Sequence, residues 1–497
     1  MVDLVTPSAG LDASHRKTSV GSDVRSLRAL AIGAGLISAI LFVVVGIAYQ
    51  LQSYGDGSIF SYAIAVEDAW AFHSHNIPGR VVTFLFSIAP AEAYVHLTRD
   101  AAGGIVVYGC LFFAAQLVGL LATYAIDRST DRIIFAYACG STACLCPLVF
   151  GFPTETWAAH AAFWPTLALC HYAPRGLAGT AAIVCALLAL IFTHEGAVVF
   201  AAVIVATLLL RGTWNAALVR SGRAFLAVMA LWFAVKATVH PDTYFAVVLA
   251  RAAWHVFDLT IFTSPMTLLL LGALAGYGIV FCTLWRLGRA DAAAYSALIV
   301  AAALAVYWLR FDHALHAENR YYMRTLLLMA TPVLGVLAAA FATRADGDLV
   351  LQVPQLPRLM SALTSAASVR LVTGALVLVV LVHTVETAKF ATAWTHYKAS
   401  VRALATGTAS DSAIGDSHFV SSSRISTDLN RLSWFSTTQY LSVLVAPNFA
   451  PTRLVVDPRT QNYFWLTCNL ARANEAAERV IPVESRRLVR VHACEHR

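Results

Sequence analysis

Several stretches of this sequence place ionisable side chains in otherwise apolar surroundings. YGDG, Tyr54 to Gly57, holds Asp56 between glycines, and SIFSYAIAVEDAWAFH, Ser58 to His73, carries Glu67 and Asp68. PTET carries Glu155, and FTHEGAVVF, Phe192 to Phe200, sets His194 beside Glu195. Lys236 and HPDTY, with His240, close a further apolar run. RFDHALHAENRYYMR, Arg310 to Arg324, supplies His313, His316, Glu318, Arg320, Tyr321 and Tyr322. A carboxylate such as Asp56, Glu67, Asp68 or Glu155 can orient or deprotonate an attacking hydroxyl. A guanidinium offers a rigid fork of donors to phosphate and stabilises charge on it as it departs. Together these groups suit transfer from a lipid-phosphate donor.

Each residue also has a plainer reading. Asp-Gly favours turns, which accounts for Asp56. Glu67 and Asp68 interrupt a helical apolar rhythm, and adjacent carboxylates point in different directions. The TET around Glu155 caps the helix that follows. Lys236 snorkels outward by default. Arg320 has an internal salt bridge as its alternative to a phosphate. His194 and Glu195 read as the wet tip of a tight helical hairpin that turns at Gly196. They are not HExxH, and His313 with His316 lacks a third ligand, so no metal site is assigned.

The elements that position these groups follow from composition. The 497 residues are 59% hydrophobic and only 13% charged, against roughly 25% charged in soluble domains. Apolar runs near helix-spanning length, about 20 residues, recur down the chain. The expectation is an all-α polytopic membrane bundle of about eleven transmembrane helices, near 28–49, 102–125, 133–150, 158–173, 177–193, 196–210, 224–240, 261–284, 292–309, 325–342 and 369–385. The net charge of +7 then reflects loop arginines rather than nucleic-acid binding. Arg128, Arg132, Arg175, Arg211, Arg220, Arg223, Arg286, Arg289, Arg344 and Arg358 fall on one side, the cytoplasmic one if the N-terminus is inside.

Three parts result: a cytoplasmic tail, 1–27; a membrane module, 28–385, whose outer loop 50–101 bears two amphipathic helices, the second interrupted at Pro90; and a C-terminal extracytoplasmic α/β domain, 386–497. In that domain TRLVVDP reads as a short strand and RRLVRVHAC alternates like another. With the tail outside the cytoplasm, a disulfide between Cys468 and Cys494 is one reading, since that compartment permits it. All the groups named above then share the outer face. No phosphate-cradling glycine loop is visible, so a nucleotide sugar is not favoured.

An aspartate in the first outer loop, amphipathic helices after it, eleven spans and a C-terminal outer domain resemble the GT-C superfamily of membrane glycosyltransferases. NRYYMRTLL, Asn319 to Leu327, is similar to the arginine-tyrosine segment before a late span in several such families. The resemblance implies a polyprenyl-phosphate sugar donor, a lipid or glycan acceptor, and a bacterial inner-membrane location in the cell envelope with its chemistry on the periplasmic side. It implies that Asp56 contacts the acceptor or acts as base, and that Arg320 meets the donor phosphate. The more usual Asp-Glu pair is absent at Asp56, where Gly57 follows, which leaves a divalent cation open and lets Glu67, Asp68 or Glu155 take the acidic role. Competing classes are a transporter of a lipid or polar solute and a structural assembly protein.

Overall fold

A computed structural model describes residues 9–70, 80–145, 155–212, 215–238, 265–311, 322–350, 355–407, 418–433, 437–458 and 481–494. The chain forms a helical membrane bundle. In hydrocarbon every backbone amide must find its partner internally, which apolar sequences achieve by coiling into helices. A helix occupies each of the eleven expected positions: α1 (Ala9–Ala48), α4 (Ala101–Ile126), α5 (Ile133–Leu145), α6 (Glu155–Tyr172), α7 (Leu177–Ile191), α8 (Ala197–Thr207), α9 (Ala216–Thr238), α10 (Pro265–Arg286), α11 (Ala290–Arg310), α12 (Tyr322–Ala345) and α14 (Ala366–Ala405). Between them lie α2 (Asp56–Ala65), α3 and α13 (Gln355–Leu363). Eight helices of the described residues are long and apolar enough to cross a membrane. Seven belong to this set, and the eighth is α3, Arg80–Thr98. The described parts of α5 to α8 fall short of that mark.

Two ends of the bundle are marked by α1 and α14, which run side by side in the same direction. At one end Arg370 Nε meets Asp23 at 3.1 Å. At the other, Trp394 Nε1 and Lys398 Nζ donate to the Tyr49 carbonyl at 3.1 and 2.8 Å. We call these the Asp23 end and the Tyr49 end. Helix α14 continues past Tyr49 by roughly 16 Å, at 1.5 Å per residue, and carries the C-terminal segment there. Small residues allow close helix contact: Gly35 lies on the Cys139 backbone, Gly119 on that of Ala161, and Gly335 on the Phe163 ring.

Helix α3 comprises Val81–Thr83, a π-turn at Phe84–Ile88, and Ala89–Thr98. The interruption expected at Pro90 takes the form of that π-turn, one turn earlier. Proline lacks an N–H and its ring crowds the carbonyl four residues back, which the wider turn relieves. Although apolar enough to span, α3 stays at the Tyr49 end. Val82 N–H donates to the Phe192 carbonyl at 3.2 Å, and Arg99 reaches Glu67 at 2.8 Å. Its outer turns pack on the start of α4, where Gly104 meets Val95 and Ala91.

The C-terminal segment is mixed α/β on a small scale. Strands β1 (Phe419–Ser421) and β2 (Leu454–Val456) pair in parallel, with Phe419 opposite Leu454. Short helices α15 (Thr427–Asn430) and α16 (Thr438–Val445) accompany them, and α16 packs on α2 and α14. RRLVRVHAC corrects the strand expectation: it lies in α17 (Val483–Cys494). Buried Ser485, Leu488 and Val489 recur at i, i+3 and i+4, a helical stripe hidden under the alternating valines and arginines. Cys468 and the Cys494 side chain lie outside the described residues.

Candidate functional site

Asp56 begins α2. Gly55 before it sits at φ 58°, a region that favours glycine. The first-turn position lets the helix dipole stabilise the carboxylate. Tyr54, just upstream, is locked between Phe390 and Trp394 with both ring centroids at 5.0 Å. Ser58 Oγ donates to the Gly55 carbonyl at 2.8 Å and, as a longer second branch, to the Thr437 carbonyl at 3.2 Å. Asp56 is thus set by α2, α14 and the C-terminal segment together.

Glu155 lies in the first turn of α6. Buried Tyr108 of α4 faces Phe60 of α2, centroids 6.2 Å apart, and the charges of both Glu155 and Asp56 reach it. The phenol therefore lies within electrostatic range of two of the four expected acids. A buried polar network holds α6 below this point. Gln116 Nε2 donates to the Trp157 carbonyl at 2.7 Å, so its Oε1 accepts from His160 Nδ1 at 3.1 Å. His160 Nε2 then accepts from Ser141 at 2.8 Å and Trp164 at 3.3 Å, an assignment of the tautomer from the network itself.

Arg80, at the start of α3, links these acids to the FTHEG stretch. Its Nη1 contacts Glu155 Oε1 at 2.9 Å, and its Nη2 and Nε contact Glu195 Oε2 at 2.9 and 3.0 Å. Lys236 Nζ contacts Glu195 Oε1 at 3.1 Å. The four side chains are 14 to 22% exposed. Two cations and two carboxylates balance. Burial alone would push the Glu195 carboxyl up, but Arg80 and Lys236 outweigh it and hold the group below the usual carboxylate range.

The wet-tip reading of FTHEG is therefore corrected. His194 is 5% exposed, and Gly196 N–H donates to its Nδ1 at 3.0 Å. Gly196 itself has φ −62°, so left-handed backbone is not its role. A Cβ there would crowd Leu328 at 3.0 Å and His194 at 3.2 Å. Helix α7, of 15 residues, spans roughly 22 Å, less than a hydrocarbon core of about 30 Å. Lys236, expected to snorkel, turns to Glu195 instead.

The other two acids stand apart. Glu67 closes α2 in a left-handed conformation, φ 53°, and binds Arg99 at 2.8 Å and His96 at 2.9 Å. Rather than interrupting a helix, it ends one. The charge of Asp68 reaches Tyr62, beside Tyr440 and Arg486, in the seam between α2 and the C-terminal segment. Both lie roughly 15 Å along α2 from Asp56. Arg320, Tyr321, His240, His313, His316 and Glu318 lie outside the described residues, and of Tyr322 only the backbone at the start of α12 is described. Among the described residues no group of three or more His, Cys, Asp or Glu side chains is placed to hold a metal.

Sequence reasoning missed Arg80. Its signal was its place: an arginine on the side of the bundle that the charge bias leaves poor in basic residues. Neither a protein-family model nor a curated protein sequence matches this chain.

Proposed function

We propose that this chain is a membrane glycosyltransferase. It moves a sugar from a polyprenyl-phosphate donor to a lipid or glycan acceptor on the extracytoplasmic face of the bacterial cytoplasmic membrane. The observation that carries this reading is the ion-paired group of Arg80, Lys236, Glu155 and Glu195 at the Tyr49 end, the end at which Asp56 begins α2. In the reaction the acceptor hydroxyl attacks the anomeric carbon and gives its proton to Asp56. The bond between that carbon and the phosphate oxygen breaks, and polyprenyl phosphate leaves with the electron pair. Glu155 and Tyr108 orient the hydroxyl. Arg320 is the group that the family resemblance assigns to the donor phosphate.

Sidedness follows from the loop arginines. Arg128, Arg132, Arg175, Arg211, Arg286 and Arg289 belong to the Asp23 end, which supports a cytoplasmic N-terminus and an outer position for the site. The test is transfer of a labelled sugar from polyprenyl phosphate by purified, folded Asp56→Asn. A loss of about 100-fold or more is expected for a missing general base. Unchanged transfer sinks the role of Asp56.

The balanced charges of the Arg80 network favour one second reading, a structural assembly protein in which the network is only a clamp. On that reading Arg80→Ala unfolds the protein while Asp56→Asn changes nothing measurable.

A further inference from the structure

We propose that Arg80 and Lys236 form an anion subsite for a phosphodiester, occupied in this structure by the protein's own carboxylates, and that the ligand enters by displacing Glu155. The identity of the anion rests on the transferase reading; the displacement does not. Arg80 spends its guanidinium edge on Glu195 and its remaining amino group on Glu155. This two-sided use is the geometry in which guanidinium recognises planar or tetrahedral oxyanions. Glu195 is gripped by cations from two elements, Arg80 before α3 and Lys236 on α9. Glu155 sits in the first turn of α6, where the helix dipole goes on stabilising its charge after Arg80 turns away.

The exchange conserves charge. A sugar-bearing phosphodiester carries one negative charge, as Glu155 does, so the swap leaves the net charge of the site unchanged. An unmatched charge in a partly buried site is costly. The displaced carboxylate keeps its place in the first turn of α6, within electrostatic range of Tyr108. The ligand differs in affinity between the two arrangements of Glu155, which is the condition for it to shift their populations.

The test measures binding and needs no transfer. Purified protein in detergent is titrated with a sugar-free dialkyl phosphate and, separately, with inorganic phosphate. Glu155→Gln removes the internal competitor, and it is expected to bind the dialkyl phosphate about tenfold more tightly than the wild type. Glu67→Gln removes one charge at the same end but away from Arg80, and it is expected to match the wild type. Arg80→Gln is expected to lose binding; where it fails to fold, Lys236→Met is expected to weaken binding several-fold. An equal gain for inorganic phosphate still supports the subsite and assigns it to the phosphate group alone. Equal or weaker binding by Glu155→Gln overturns the exchange, and so does an equal gain in Glu67→Gln. Loss of transfer in Asp56→Asn bears only on the reaction, so the two ideas fail separately.

Discussion

Arg211 and Arg80 sit at opposite ends of the bundle and are bonded differently. Arg211 Nη1 donates to the His171 carbonyl at 2.9 Å, and its carboxylate partners Asp346 and Asp348 stand off at 3.6 and 3.8 Å. Asp346 also accepts from Tyr172 at 2.6 Å and from the Thr130 amide at 2.9 Å. Elsewhere at that end Arg220 binds the Pro174 carbonyl and Arg132 the Tyr124 carbonyl. These arginines tie loops and helix C-termini, where unpaired carbonyls collect. Arg80 instead binds two carboxylates from separate elements in short contacts, and a lysine shares one of them. Arg211 is stapled mainly through backbone, Arg80 through side-chain charges, although each end also holds the other kind of bond, Arg370 to Asp23 at one and Lys398 to the Tyr49 carbonyl at the other.

Substitutions can break this contrast, starting with the largest effect. Arg80→Ala leaves two partly buried carboxylates short of a cation, and a stability loss of about 3 kcal/mol is expected. Thermal unfolding in detergent measures it, and transfer by the surviving folded fraction should fall on the order of 100-fold. A variant as stable as the wild type would make the Tyr49 end no different from the other.

Glu195→Gln comes next, at about 2 kcal/mol near neutral pH, and its pH dependence has a sign. The folded-state carboxyl of Glu195 is held below its unfolded value by Arg80 and Lys236, against burial. Its contribution is therefore fully present above the unfolded value, roughly 4.3, and is lost as pH falls through the folded one. The gap in unfolding temperature between wild type and Glu195→Gln should stay flat above about pH 5 and close in more acid solution. A gap that widens with acid would reverse the assignment.

Arg211→Ala tests the stapled end. Its carboxylate contacts are long, so a loss of about 1 kcal/mol is expected from the carbonyl bond, with transfer within about twofold of wild type. Smallest is Arg99→Ala. Its side chain is 62% exposed, and its partner Glu67, 8% exposed, keeps His96, so a loss below about 1 kcal/mol is expected. Unfolding at low and high salt would show whether even that is electrostatic.

The bundle was legible because spans depend on length and apolarity, which any window of sequence displays. Helix α3 has the composition of a span, yet the reading of 50–101 as an outer loop placed it at one end, where its packing on the start of α4 and its bond to Phe192 keep it. In the C-terminal segment TRLVVDP declared its strand, whereas RRLVRVHAC contained two periodicities and tertiary burial selected the helical one. The site was half legible. Asp56, Glu155, Glu195 and Lys236 stood out as charges beside apolar runs, but pairing is set by packing between elements far apart in sequence. That is why Glu67 and Glu155 looked alike, though one clamps α2 to α3 and the other shares Arg80 with Glu195. Arg80 was hidden by its ordinary setting in a loop.

The bond from Ser58 to Thr437 joins residues 379 positions apart. Helix α2 is made long before its packing partner α16. The aspartate at its tip therefore waits, while the helices between them are made and inserted, for the neighbour that fixes its helix. Contacts of such long range form late and slowly. A chain halted between the two would carry most of the bundle and an Asp56 whose helix still lacked its partner.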